Sequence, residues 1–180
     1  MGTHYGSVVD LAQGRLDPVA ALDFVSDPVF GGIAMFIGRV RATNHGRVVT
    51  GVSYDVFDAL ARVSFDTIAQ QAHSRFGPEL RLCVVHAKGR LKVGDIAVIV
   101  AAGTPHRDEA FHACRQVIEA VKHTSPIWKQ EHYEDGSSEW SDGCSLCQPS
   151  PAADAGHDGA DHDHGGQEHV AHDHTAGTDG

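Results

Sequence analysis

The chain has 180 residues and a formal net charge of −10 at pH 7, and this charge is divided unevenly. All 14 Lys and Arg residues precede residue 141, whereas the last 40 residues hold 8 of the 24 acidic side chains. No basic run favours nucleic acid, the first residues do not have the pattern of a secretory signal, and no run of about 18 apolar residues occurs. We therefore expect a cytoplasmic protein that binds neither nucleic acid nor a membrane.

Composition predicts one folded domain over residues 1–141 and a disordered tail over residues 142–180. The first part is long enough to bury a core. From residue 148 onward, Val170 is the only large aliphatic side chain. Such a segment cannot bury enough apolar surface to offset the conformational entropy of the chain.

The pattern of the first half of the domain predicts a short helix, two strands and a first long helix. The first helix begins after Asp17, a good N-cap residue that is followed by a proline. Residues 32–38 are a continuous apolar run of strand length, and residues 48–57 predict a second strand. The segment 44–46 predicts a turn between them, so we expect these two strands to pair antiparallel. Residues 58–76 have the apolar spacing of an amphipathic helix.

The second half predicts a hairpin, a long helix and a last strand. Residues 80–86 and 96–102 are apolar strands joined by the polar connector 88–95. Apolar residues at helical spacing over 111–121 predict a second long helix, and residues 127–133 predict a short strand. Helices interleaved with antiparallel hairpins define an α+β fold rather than a series of βαβ units.

Two lysines near the end of the second long helix predict part of a pocket for an anion. Lys122 falls in the last turn of this helix, and Lys129 lies on the following strand beside Trp128. Desolvation of Lys129 by apolar neighbours, or a second cation nearby, would suit it to proton transfer or to holding an oxyanion. A favourable position at the negative end of the helix dipole explains Lys122 equally well.

Two further pairs of basic residues predict other parts of the same pocket. His106 and Arg107 stand at the start of the second long helix, where free amides and a guanidinium suit a phosphate or a carboxylate. An ordinary helix start with a surface arginine is the alternative. Arg39 and Arg41 alternate with Val40 and so face the same side of a strand, which indicates a lined site.

The cysteines fall into two classes. Cys83 and Cys114 have the apolar surroundings of buried free thiols. Cys144 and Cys147 form a CxxC, followed by a histidine-rich segment that could complete a zinc or nickel site. The candidate metal ligands are Cys144, Cys147, His162, His164, His172 and His174. We expect weak metal sequestration here rather than a catalytic metal site.

These residues together resemble the catalytic large subunit of molybdopterin synthase, the MoaE family. The resemblance covers about residues 5–141. Its most specific part combines His-Arg-x-x-Ala-Phe at residues 106–111, Lys122, and Pro-Ile-Trp-Lys-x-Glu at residues 126–131. The chain departs from the family pattern at residues 55–57 and at Leu60, which are packing positions that tolerate changes of volume.

The resemblance implies an α+β fold of the α/β-hammerhead type that forms a homodimer. Each end of the dimer receives a small ubiquitin-like sulfur carrier, whose Gly-Gly terminus carries a thiocarboxylate. The sulfur is delivered to cyclic pyranopterin monophosphate, and two deliveries form the dithiolene of molybdopterin. No metal or organic cofactor is required. The implied catalytic residues are Lys122 and Lys129, and the implied substrate-binding residues are Arg41, His106 and Arg107, with Arg39 and Trp128 as further candidates.

Two other functions are compatible with the same sequence. A binding module that docks a ubiquitin-like terminus without catalysis would not need the lysines for sulfur transfer. A metal-sequestering or metal-delivery protein would act through the tail.

Overall fold

The computed structural model describes residues 2–141, which contain eight strands and three helices. In chain order the elements are β1 (His4–Asp10), α1 (Pro18–Val25), β2 (Gly32–Arg39), β3 (Thr43–Asn44), β4 (Arg47–Val56), α2 (Asp58–Phe76), β5 (Arg81–Lys92), β6 (Ile96–Thr104), α3 (Arg107–Thr124), β7 (Ile127–Tyr133) and β8 (Ser138–Trp140).

One mixed, mostly antiparallel sheet contains all of these strands. Its main path runs β2–β6–β5–β4–β7–β8, with β3 beside β4. β1 runs parallel to β5, and every other strand pair within residues 2–141 is antiparallel. The α+β prediction is therefore confirmed.

Apolar side chains fill both faces of the central strands. On one face, Phe65 of α2 and Val117 of α3 pack with Val84 of β5. On the other face, Val25 of α1 packs in a second core that includes Val85. Successive side chains of a strand point to opposite faces, so β5 contributes to both cores. This burial on both sides explains why the central strands are continuous apolar runs rather than alternating ones.

Strand β5 is longer than predicted because it continues past Gly89 with a change of pairing partner. Its first half pairs with β6, and residues 89–92 pair with β4. The change of partner occurs near Gly89, whose φ of 92° is accessible mainly to glycine. The prediction of a connector over residues 88–95 is thus wrong for its first part, and only residues 93–95 remain as the turn between β5 and β6.

The predicted pairing of residues 32–38 with residues 48–57 is wrong. β2 pairs with β6 instead, along its whole length and with a register shift between Gly38 and Arg39. The next residue, Val40, then bonds through its backbone to the turn between β5 and β6. Only β3 is left to form a hairpin with β4.

The predicted turn itself is confirmed. His45 and Gly46 both have positive φ angles, of 47° and 77°, as a two-residue type I′ turn requires. The turn joins β3 to β4 rather than β2 to β4.

The helices follow the sequence pattern closely. The Asp17 side chain accepts hydrogen bonds from the backbone N–H groups of Val19 and Ala20, which confirms the predicted N-cap. α1 buries Ala21 and Val25, whereas Val19 is exposed. α2 has the predicted bounds, and β7 does too. None of the helices in residues 2–141 combines the length and apolarity needed to cross a membrane.

Cys83 and Cys114 are buried, as predicted. Burial raises the pKa of both thiols to about 11, so they remain protonated and unreactive near neutral pH.

Candidate active site

A small cavity of about 50 Å³ lies where the end of β2, the β3–β4 hairpin and β7 meet. Its lining combines three basic side chains with one carboxylate, one phenol and three valines. The lining residues are Arg39, Val40, Arg41, Thr43, Asn44, Val49, Val52, Tyr54, Lys129 and Glu131. The structure thus brings Lys129 to one site with Arg39 and Arg41, although it lies far from both in the sequence.

Glu131 is the centre of a hydrogen-bond network in this cavity. Its side chain is buried, and its Oε1 accepts from Lys129 Nζ at 2.7 Å. Its Oε2 accepts from Asn44 Nδ2 at 2.5 Å and from the Tyr133 hydroxyl at 2.8 Å. Asn44 Oδ1 in turn accepts from Arg41 Nη2 at 3.0 Å. One carboxylate therefore fixes Lys129 directly and Arg41 through Asn44.

The same bonds keep Glu131 ionised. Burial alone would raise the pKa of this carboxyl, but the hydrogen bonds from Lys129, Tyr133 and Asn44 outweigh burial and hold the pKa below its ordinary value. Glu131 is consequently a negative group at neutral pH. It compensates part of the positive charge that lines the cavity.

Arg39 and Arg41 reach the cavity by different routes. Arg39 is the last residue of β2, and its Nε donates to the carbonyl oxygen of Gly94 at 2.8 Å. Arg41 lies beyond the strand and bonds to Asn44. The alternation with Val40 predicts that the two arginines are neighbours on one strand face. They are not, because the strand ends at Arg39, yet both side chains line the cavity.

Lys122 lies in the last turn of α3, next to strand β2. Its Nζ is 6.0 Å from the centroid of the Phe36 ring. A Cβ added to Gly38 would lie 3.2 Å from the Phe36 ring. This ring therefore packs against β2 at the residue that precedes Arg39. Lys122 is exposed, and its ammonium group faces an aromatic surface.

His106 and Arg107 lie at the opposite end of the same helix. His106 precedes α3 with no hydrogen bond from its side chain to the helix, and both residues are exposed. A helix rises about 1.5 Å per residue, so Arg107 is about 23 Å from Lys122 along the axis. Within one chain, these two predicted parts of the pocket do not meet.

Trp128 lies on the other face of β7. Its neighbour Lys129 points into the cavity, and successive strand residues point to opposite sides. Trp128 is 36% exposed and does not line the cavity. The apolar cover that the sequence suggested for Lys129 is therefore replaced by the ion pair with Glu131.

Sequence reasoning did not assign Glu131, Asn44 or Tyr54 to the site. One signal for Glu131 was available, because residues i and i+2 of a strand share a face and Lys129 and Glu131 have that spacing. No such local signal exists for Asn44 or Tyr54. They reach the cavity only through the pairing of β3 and β7 with β4.

The predicted metal ligands lie outside the described residues. Within residues 2–141, no three His, Cys, Asp or Glu side chains come together as a metal site requires. The tail prediction over residues 142–180 stays a prediction.

Comparison with known proteins identifies the family. Residues 11–124 match the family model described as MoaE protein. The molybdopterin synthase catalytic subunit of Synechococcus elongatus is 46% identical over 146 residues, which cover 81% of this chain and 88% of that one. The protein of the same name from Oryza sativa subsp. japonica is 36% identical over 156 residues, covering 81% and 80%.

Solved structures share the fold. Molybdopterin synthase from Staphylococcus aureus aligns with a TM-score of 0.70 at 28% identity, over 76% of this chain and 96% of that chain. A complex of subunits 1 and 2 of molybdopterin-converting factor from Helicobacter pylori aligns with a TM-score of 0.61 at 22% identity. That alignment covers 78% of this chain and 91% of that one.

The fold, the cationic cavity and these similarities define an enzyme subunit of molybdenum cofactor biosynthesis rather than a metal-delivery protein. More particularly, the chain belongs to the MoaE family, and the relatives that it matches bear the name molybdopterin synthase catalytic subunit.

Replacing Glu131 with Gln tests whether its carboxylate holds the cavity together. Because the pKa of Glu131 is depressed in the folded state, the ionised group stabilises the fold above the ordinary glutamate pKa of about 4.3. This stabilisation is lost as the pH falls through the lower folded-state value. In urea unfolding, the free-energy gap between the wild type and Glu131→Gln should be largest near neutral pH and should close in acid.

Glu79→Gln is the matched control for this substitution. Glu79 is exposed between α2 and β5, so its replacement should leave the free energy of unfolding unchanged at every pH. A gap for Glu131→Gln that does not vary with pH would contradict the role of the carboxylate.

Proposed function

We propose that this protein transfers sulfur from the C-terminal thiocarboxylate of a small ubiquitin-like carrier to cyclic pyranopterin monophosphate. Each transfer breaks a carbon–sulfur bond of the carrier and forms one on the pterin, and two transfers make the dithiolene of molybdopterin. A cytoplasmic location, expected from the sequence, is part of the same proposal. The observation that carries it is the cavity that gathers Arg39, Arg41 and Lys129 around Glu131.

The chemistry of the proposed reaction fits the charges of this cavity. The thiocarboxylate, the phosphate of the pterin and the anionic intermediates all require hydrogen-bond donors that are already oriented. Arg41 and Lys129 are oriented by Asn44 and Glu131 before any ligand arrives. The nucleophilic sulfur comes with the carrier, so the cavity needs no cysteine of its own. Cys83 and Cys114 are indeed buried away from it.

We assign separate roles to the two lysines. The ammonium group of Lys129 forms an ion pair with Glu131. This contact suits Lys129 to proton transfer or to positioning of the pterin. Lys122 has no carboxylate partner among residues 2–141 and is exposed, so its full charge is available to the terminus of the carrier. The H. pylori complex joins two subunits of its converting factor, which is consistent with a protein partner for this chain.

Lys122→Ala tests the assignment of catalysis to this residue. Removing one donor to a developing oxyanion typically lowers turnover by about 100-fold or more. We therefore expect molybdopterin formation from thiocarboxylated carrier and pyranopterin to fall by at least that factor. Titration calorimetry should show that the carrier still binds, because the substitution removes a single side chain from its binding surface.

The control for Lys122→Ala is Lys92→Ala. Lys92 is an exposed residue at the end of β5 that does not line the cavity, and its loss should leave turnover unchanged. Near-normal turnover of Lys122→Ala would remove Lys122 from the mechanism.

We further propose a homodimer in which the second copy supplies His106 and Arg107. The distance of about 23 Å along α3 prevents these residues from joining Lys122 within one chain. Strand β2 offers a surface for the second copy, because within residues 2–141 it pairs only with β6. Its side chains Ile33, Phe36 and Ile37 are 36 to 39% exposed.

The direction of β2 explains how such a dimer would complete the site. The strand begins at Gly32, where an added Cβ would lie 2.6 Å from the Cα of Arg107. It ends at Arg39, in the cavity. A two-fold axis across an antiparallel pair of β2 strands sets the start of one beside the end of the other. His106 and Arg107 of one copy would then approach the cavity of its partner.

Mixing two inactive variants tests this composite site. Lys122→Ala and Arg107→Ala, unfolded together and refolded at equal amounts, would form dimers of which about half contain one subunit of each kind. One of the two sites in such a dimer is intact if each site draws on both copies. Activity should therefore recover to about a quarter of the wild-type value, whereas a site built within one chain gives no recovery.

Lastly, we propose that the tail, residues 142–180, is a metal-sequestering appendage that takes no part in sulfur transfer. The CxxC at Cys144 and Cys147, together with the histidines that follow, supplies soft and borderline ligands for zinc or nickel. The catalytic cavity lies wholly within residues 39–131.

A chain that ends at residue 141 separates the two functions. Its synthase activity should equal that of the full chain, because every proposed catalytic and substrate-binding residue is retained. Equilibrium dialysis should show that it has lost zinc and nickel binding. The full chain with both Cys144→Ser and Cys147→Ser is the control for the CxxC. A loss of synthase activity on truncation would contradict the proposal.

A further inference from the structure

Tyr54 places a phenol hydroxyl group in the cationic cavity. In the antiparallel pairing of β4 with β7, Tyr54 is directly opposite Lys129. Side chains at directly opposite positions lie on the same face of the sheet. Tyr54 accordingly lines the cavity together with Lys129 and Glu131.

The ring of Tyr54 is held in place by packing. It contacts His86 edge to face, with the ring centroids 4.8 Å apart. His86 is itself buried, and its Nδ1 donates to the carbonyl oxygen of Ala87 at 2.8 Å. Burial lowers the pKa of His86 to about 4, so the imidazole is neutral and forms an uncharged wall. The orientation of the phenol therefore does not depend on its hydroxyl.

The hydroxyl has no hydrogen-bond partner among residues 2–141, although the other donors around it do. Arg41 bonds to Asn44, and Lys129 bonds to Glu131. The hydroxyl of a tyrosine that is largely covered normally finds a partner. A donor that packing fixes in a polar cavity, with no acceptor in the surrounding protein, is placed to meet an acceptor on a ligand.

The electrostatic surroundings make this group a donor. Burial and the negative charge of Glu131 raise the pKa of Tyr54 to about 12. The hydroxyl therefore stays protonated across the range of pH in which proteins function. It can donate a hydrogen bond to an anion without adding a charge to a cavity that already holds three cations and one carboxylate.

We propose that the Tyr54 hydroxyl donates a hydrogen bond to an oxyanion of the ligand in this cavity. Two oxyanions belong to the proposed reaction, the C-terminal carboxylate or thiocarboxylate of the carrier and the phosphate of the pterin. The inference rests on the proposed function and adds a binding residue to it. The neutral Tyr54 donor complements the charged donors, Arg41 and Lys129.

Tyr54→Phe is the direct test, because it removes the hydroxyl and keeps the ring on His86. Loss of a hydrogen bond to a charged group weakens binding by about tenfold or more. Two titrations identify the source of the oxyanion. One uses the carrier with an ordinary Gly-Gly carboxylate, and the other uses cyclic pyranopterin monophosphate. We expect the affinity for one of the two to fall by this factor.

Thermal unfolding separates a binding role from a structural one. A hydroxyl without a protein partner contributes no internal bond, so Tyr54→Phe should keep the wild-type Tm or exceed it. Tyr5→Phe is the matched control. Tyr5 is 49% exposed on β1 and packs on Phe24, and its substitution should change neither titration nor the Tm.

The outcomes are distinct. Weaker binding of the carrier assigns Tyr54 to the carboxylate, and weaker binding of the pterin assigns it to the phosphate. Unchanged affinity in both titrations, or a lower Tm that accompanies the loss, would overturn the inference. Failure of the proposed function itself has another signature, since the wild type would then form no molybdopterin from the thiocarboxylated carrier.

Discussion

The change of pairing partner along β5 is the constraint on which the cavity depends. The first half of the strand pairs with β6, and the half after Gly89 pairs with β4. β6 carries β2 and so positions Arg39, whereas β4 carries β7 and so positions Lys129. Because one continuous strand joins the two halves, backbone hydrogen bonds fix the separation of these cations. A flexible connection at residues 88–92 would leave that separation undefined.

Gathering three cations in a small cavity has an electrostatic cost, and the structure shows how it is offset. Like charges at short range repel, most strongly where water is excluded. Each basic group has its own acceptor: Glu131 for Lys129, Asn44 for Arg41, and the carbonyl of Gly94 for Arg39. These acceptors also set the directions of the donors. An incoming anion would meet groups that need little reorganisation, which is the condition for strong electrostatic stabilisation.

The sequence predicted most helices and strands, but not how the strands pair. Local signals sufficed where one segment determines the outcome, as for the N-cap at Asp17 and for α2 and β7. The partner of β2 was not predictable, because residues 32–38 are apolar on both faces and fit either neighbour. The same limit applied to Tyr54 and Asn44, since their approach to Lys129 is a property of the sheet. Lys129 and Glu131, two residues apart, needed no long-range information.

The length of α3 links the chemistry to the state of assembly. A helix of 18 residues is rigid, so no movement within one chain can bring Arg107 to Lys122. A site that uses both must therefore take them from different copies. An isologous contact repeats every interaction, so a dimer that completes one cavity completes two. Two such cavities would be related by the two-fold axis, and each would have room for a carrier only if its opening faces away from the axis. The proposed arrangement thus requires that the contact at β2 leave the β7 and β8 side of the cavity free, which is the other end of the strand order within residues 2–141.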